Sequence, residues 1–266
     1  MKKLLVPVSL TLSLGILFFA NFLYPILNII TQKDETDLGY FRYLFIIATY
    51  VCLIFVVWVE RRDLEVFNID RLSLLTMLVA IFVRVKLHVF NEQLFTNSIW
   101  VVGLVLLGSC LLNWKEIPKT KTLWIIIGIS TCVLVIPLAY FESFQTEKYV
   151  ISNSLYQANF FTNLIRNLIF NLSFVSPFEE IIIRGVLWGQ LRRLNIADGK
   201  IVWIQGVLFW LMHFWELFNW VTFFIVLPIV IATLSFLVFR SKQLFPSIVS
   251  HTLINTLIPV LVKIYS

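Results

Sequence analysis

With 266 residues, of which 59% are hydrophobic and only 14% charged, the chain lies far from a soluble domain, where about 45–50% of residues are apolar and about 25% charged. Its uninterrupted apolar runs exclude a transmembrane barrel, whose strands alternate polar and apolar residues, and imply an all-α, polytopic bundle of transmembrane helices. The net charge of +6 is scattered over short hydrophilic breaks, so it reads as an orientation signal and not as a nucleic-acid-binding stripe.

Charge-poor segments of spanning length follow one another at 4–30, 41–59, 72–90, 97–114, 122–141, 157–191, 201–216, 220–239 and 244–263. A span needs roughly 20 apolar residues, so eight or nine are expected. The first follows Lys2 and Lys3 as a signal peptide would, yet it runs past the roughly 7–15 residues of such an apolar region and reads as a retained helix. The third is interrupted by Arg84, Lys86 and His88. Pro177 is expected to kink or divide the long sixth segment. If nine segments span, Lys and Arg divide 13 against 6 between the two sides, which puts the amino terminus in the cytoplasm of a multi-pass cell-membrane protein. Cys52, Cys110 and Cys132 all lie in apolar runs without a C-x-x-C pair, a pattern that fits neither disulfides nor a cysteine metal cluster.

The polar loop at 142–156 divides the chain into an amino-terminal set of helices, residues 1–150, and a carboxy-terminal core, residues 151–266, that holds every candidate for chemistry. In the sixth segment, Glu180 and Arg184 are four apart and share a helix face. Glu179 is rotated about 100° away and has no cation at that spacing. Charges at membrane depth are costly and persist where they pair or act. The pairing leaves Glu179 as the candidate base and Glu180 as the compensated partner. Phe209 and His213 are four apart on the next segment, and His251 and Asn255 on the last. Taken singly, the ion pair could fix a helix, His213 could be a core residue, and His251 with Asn255 could be interhelical glue.

Their depths argue for a common site. At 1.5 Å per residue, Glu180 lies about 18 Å from Arg192, His213 about 20 Å from Lys200, and Asn255 about 20 Å from Lys242. Each is near the middle of a ~30 Å hydrocarbon core. A carboxylate, two imidazoles and an amide, without a serine or cysteine nucleophile, point to water as the nucleophile. Glu179 assisted by His213 would activate it, and His251 and Asn255 would stabilise an oxyanion, where one donor is worth roughly 2.7–4 kcal/mol. Glu and His are also zinc ligands, although no H-E-x-x-H helix is present.

Glu179-Glu180-x-x-x-Arg184-Gly185, Phe209-x-x-x-His213 and His251-x-x-x-Asn255 resemble the three motifs of the CPBP intramembrane proteases. This family, also called Abi, includes CAAX prenyl endopeptidases and bacteriocin-processing or self-immunity proteins. The resemblance covers about residues 160–260, with Pro177, Arg240 and Pro246 flanking the motifs, and departs at Ile183, where the family usually has an aromatic. It implies glutamate-dependent peptide hydrolysis in a membrane cavity reached from the cytosol. Glu179 and His213 would activate water, His251 and Asn255 stabilise the oxyanion, and Arg184 hold Glu180. The implied partners are a peptide or membrane-protein substrate, prenylated or carrying a leader, and the lipid bilayer. A non-proteolytic immunity protein is the competing expectation. A proton-coupled transporter is a third, but the inverted repeats that would favour it are not evident.

Overall fold

A computed structural model describes the backbone at residues 121–146 and 160–265, at the short turn Arg61–Leu64 and at positions 15, 55, 58 and 59. The expected spans at 4–30, 41–59, 72–90 and 97–114 fall essentially outside these residues. Of the described residues 92% are helical and none is in a strand. Three helices among them have the length and apolar composition to cross a membrane, with windows at Trp124–Phe141, Thr222–Ser241 and Phe245–Val262.

Helix α1, Lys121–Thr146, shows why lipid is its solvent. Ile125, Ile129, Val133, Ile136 and Tyr140 recur at helical spacing and are all exposed. Ile127, Thr131, Val135 and Leu138 form the opposite, buried stripe. A helix of a soluble protein would carry polar residues on its outer face; here both faces are apolar, the composition of a helix that lies in hydrocarbon.

Helix α2 runs without interruption over 160–193. Its π-helical turns at Asn171–Val175 and Ile181–Leu187 flank the short α-helical piece Ser176–Glu180. Pro177 therefore does not divide the segment. A proline ring collides with the carbonyl four residues back and has no N–H to offer it. The preceding turn widens, with the Ser176 N–H reaching the Asn171 carbonyl five residues back. Pro228 is handled alike: the turn Thr222–Val226 is π-helical, and the Leu227 N–H reaches Thr222. Each such turn inserts a residue and rotates the remainder of the segment by about 100° relative to a regular helix.

Helix α3, Asp198–Met212, is shorter than the expected 201–216 span. At His213 the backbone leaves the helical region (φ −93°, ψ 25°), and a 3₁₀ turn, Phe214–Phe218, follows. At 1.5 Å per residue its 15 residues cover about 22 Å, less than the ~30 Å hydrocarbon core. Asn219 restarts the helix by accepting the Thr222 N–H on its side-chain oxygen at 3.2 Å, an N-cap. The indole N–H of Trp210 donates to the Phe223 carbonyl at 2.7 Å and fastens the two sides of this turn together. The helix then continues into α4, Leu227–Ser241.

Helix α5, Phe245–Tyr265, packs against α1, the first half of α2, and α4. Apolar contacts with α1 and α4 join Ile254 and Ile258 to Val135, Leu138, Val230 and Leu234. Small polar groups add stitches at close range: Ser250 to Thr131 at 3.0 Å and Thr256 to the Asn171 amide at 3.3 Å. Such bonds between membrane helices contribute about 0.6 kcal/mol on average.

One carboxylate ties α2, α3 and the end of α4 outside the spans. Asp198 accepts two hydrogen bonds from Arg192, at 2.7 and 2.8 Å. It takes a third from Lys242 at 2.9 Å and a fourth from the Trp188 indole at 3.1 Å. Asp198 also stands in the first turn of α3, where a negative charge favours the helix dipole. The Arg192 hydrogen bonds, with those of Lys242 and Trp188, hold its carboxyl well below the usual carboxylate range. A carboxyl lowered on folding contributes stability above its unfolded value of about 3.9, and loses that contribution as pH falls through the folded value. Asp198→Asn is expected to lower the thermal midpoint of detergent-solubilised protein near pH 7. The gap to wild type should narrow as the melts are repeated from about pH 5 down to about pH 3, without vanishing there, because the folded carboxyl still ionises.

Candidate functional site

The site forms where the Ser176–Glu180 piece of α2 meets the start of α5 and the end of α3. Glu180 is completely buried, and donors surround its carboxylate. Arg184 Nη1 donates to Oε1 at 2.5 Å, and His251 Nδ1 lies 2.8 Å from the same oxygen. The Ser247 hydroxyl donates to Oε2. Ser247 and His251 are four apart on α5, so one stripe of that helix grips the carboxylate. The ionised carboxylate only accepts, so Nδ1 carries the proton.

That contact turns the other ring nitrogen outward. His251 Nε2 lies 3.6 Å from Oε2 of Glu179, so a single imidazole stands between the two carboxylates. Their environments differ sharply: the Glu179 side chain keeps 30% of its surface exposed, against 0% for Glu180. Adjacent residues on a helix point in different directions. Here one points into a cage of donors and the other to an accessible face.

His213 approaches through Phe209. Its Nδ1–H donates to the Phe209 carbonyl at 2.8 Å, four residues back. The Phe209 ring meets both imidazoles edge-on, that of His213 at 4.7 Å and that of His251 at 6.4 Å. Arg184 lies over the same ring, its Cζ 5.1 Å from the centroid. Phe209, buried at 3% exposure, is thus a spacer that both imidazoles and the guanidinium touch. A cation over a desolvated aromatic face gains up to about 2 kcal/mol.

Of the six residues singled out in the sequence, Glu179, Glu180, Arg184 and His251 form one connected group, and His213 joins it through Phe209. Asn255 lies one turn beyond His251, half-buried, and no hydrogen bond ties it to the group. Ser247 was missed. A serine two residues into the last helix carries no local signal, and its contact with Glu180 spans 67 positions. Among the described residues, no group of three or more His, Cys, Asp or Glu side chains is placed to hold a metal ion.

Removing one partner of a buried ion pair leaves the other charge uncompensated, at a cost of about 3–5 kcal/mol. Glu180→Gln is therefore expected to destabilise the protein strongly in thermal melts. Glu179→Gln, at a partly exposed position, should stay within about 0.5 kcal/mol of wild type.

Residues 161–257 match a protein-family model described as Type II CAAX prenyl endopeptidase Rce1-like. No match was found among curated proteins or solved structures.

Proposed function

From the premise that residues 161–257 form an Rce1-like domain of the CPBP family, we propose that this membrane protein is an intramembrane endopeptidase acting through water activated by Glu179. The substrate class is a membrane-associated peptide, prenylated or carrying a leader. The observation that carries the reading is the asymmetry of the two carboxylates. Glu180 is saturated by Arg184, Ser247 and His251, while Glu179 is accessible and faces an imidazole nitrogen at 3.6 Å.

In this reading Glu179, with His213 nearby, takes a proton from water as its oxygen bonds to the scissile carbonyl carbon. A tetrahedral oxyanion results. His251 as an imidazolium, with Nδ1–H on Glu180 and Nε2–H turned outward, and the Asn255 amide one turn along α5 act as donors to that oxygen. When the intermediate collapses, the C–N bond breaks and the proton held at Glu179 passes to the departing amine. Glu180 touches no reacting atom; through Nδ1 it fixes the orientation of His251. The 3₁₀ turn after His213 fits this arrangement, because non-helical backbone at membrane depth occurs where it is buried in protein or lines a water-filled cavity. The predicted eight or nine spans would seat this core in the cell membrane, with residues 1–150 forming the remaining helices.

A cleavage assay in membranes tests it, with a prenylated peptide ending in a CAAX box and the native membrane peptides as substrates and mass spectrometry as readout. Wild type should release a product. Glu179→Gln and His213→Ala should each lower its rate by about 10²–10⁴-fold, the range for a general base, while remaining monodisperse. Equal product from wild type and both variants would overturn the hydrolytic reading. A protective membrane phenotype surviving both substitutions would then favour a non-proteolytic immunity role.

A further inference from the structure

Arg184 has a second, unexplained side. Its Nη1 serves Glu180, yet Nε and Nη2 are fully buried and have no hydrogen-bond partner among the described residues. A guanidinium carries five N–H donors in a fixed fork, and leaving a buried donor unpaired is costly, the more so when it is charged. The neighbouring helix has the complementary defect. Gln205 on α3 is 0% exposed, and both its amide oxygen and its amide nitrogen are unpartnered. On α4 the buried hydroxyl of Ser235 is unpartnered too.

These three groups share a level. Arg192, Asp198 and Lys242 meet at a single carboxylate, which gives α2, α3 and α4 a common origin. Arg184 lies eight residues from Arg192, Gln205 seven from Asp198, and Ser235 seven from Lys242. At 1.5 Å per residue these are about 12, 11 and 11 Å from that origin. The faces agree as well. Gln205 lies between Ile201 and Phe209, and Ser235 between Ile231 and Val238. Arg184 lies between Ile183 and Leu187. All of those neighbours belong to one buried apolar cluster. Helix α3 packs against the Ile181–Leu187 turn and against α4, and a Cβ on Gly206 would already touch Ile231 at 3.5 Å. Arg184 also lies over the ring of Phe209, one turn along α3 from Gln205.

We propose that Arg184, Gln205 and Ser235 line a closed hydration site, in which ordered water bridges Nε and Nη2 of the guanidinium to the Gln205 amide and the Ser235 hydroxyl. Buried waters typically make about three hydrogen bonds to otherwise unsatisfied polar groups. A bridging water is enthalpically close to a direct bond. The water completes the coordination of Arg184 on the face turned away from Glu180. The guanidinium is thereby held as a fixed counter-charge. The inference does not depend on the hydrolytic reading, and its test needs no substrate.

The test is a double-mutant cycle on the full-length protein in detergent, read as thermal midpoints. Gln205→Met keeps the length of the side chain and removes its amide. Arg184→Lys keeps the charge for Glu180 and removes the second face of the guanidinium. If water links the two residues, Gln205→Met lowers the midpoint by at least about 2–4 °C, and most of that loss disappears in the Arg184→Lys background. Replacing an amide that has no partner by an apolar group is neutral or stabilising. An unchanged or raised midpoint therefore overturns the proposal, as does an equal loss in both backgrounds. Should either variant fail to fold, a high-resolution structure of the wild type decides. Water density within hydrogen-bond distance of both Arg184 and Gln205 supports the site. A direct bond between them, or no density, overturns it.

Discussion

The carboxylate of Glu180 is the point on which the site depends. A charge with no exposure must be met by donors, and it is met by Arg184 from its own helix and by Ser247 and His251 from α5. Those three contacts set how the two helices face each other and fix the proton on Nδ1 of His251, so that Nε2 faces Glu179. The neighbouring carboxylate keeps an accessible face, and Arg184 is committed to Glu180. Two identical side chains thus acquire different environments from one ion pair and one imidazole.

Reaching that geometry required departures from regular helix. Two prolines that interrupt apolar segments near the site, Pro177 and Pro228, follow a widened turn that moves the obstructing carbonyl aside. The first of these turns immediately precedes the glutamates, so it sets which face of α2 they occupy. Helix α3 ends at His213 and restarts beyond Asn219. The histidine at this helix end is held by a backbone carbonyl, that of Phe209. Irregular backbone therefore lies close to the residues with chemical potential, where packing from several helices can support it.

The local part of this arrangement was legible in the sequence, because helical periodicity is short-range. The spacing of Glu180 and Arg184 announced their pairing, and composition alone announced a helical membrane protein. The illegible part depends on contacts between distant segments. Nothing around Ser247 marks it as a ligand of a carboxylate 67 positions away. Phe209 was visible as half of a motif, but its position between two imidazoles and a guanidinium depends on how α3 crosses α2 and α5. The sequence also read 201–216 as an unbroken span, since an aromatic-rich run has the same hydropathy whether it continues as helix or folds into a 3₁₀ turn. The role expected for Asn255 rests on its spacing from His251, with no side-chain hydrogen bond to the group around Glu180.

The central claim is that Glu179 serves water and that no side chain of the protein becomes covalently attached to the substrate. The most direct measurement is cleavage of a prenylated CAAX peptide by purified protein in ¹⁸O-labelled water with added hydroxylamine, followed by mass spectrometry of the new carboxy terminus. Direct attack by water predicts a free carboxylate that carries the label, with no hydroxamate at any hydroxylamine concentration. A hydroxamate that grows with hydroxylamine would reveal an acyl-enzyme and contradict the account.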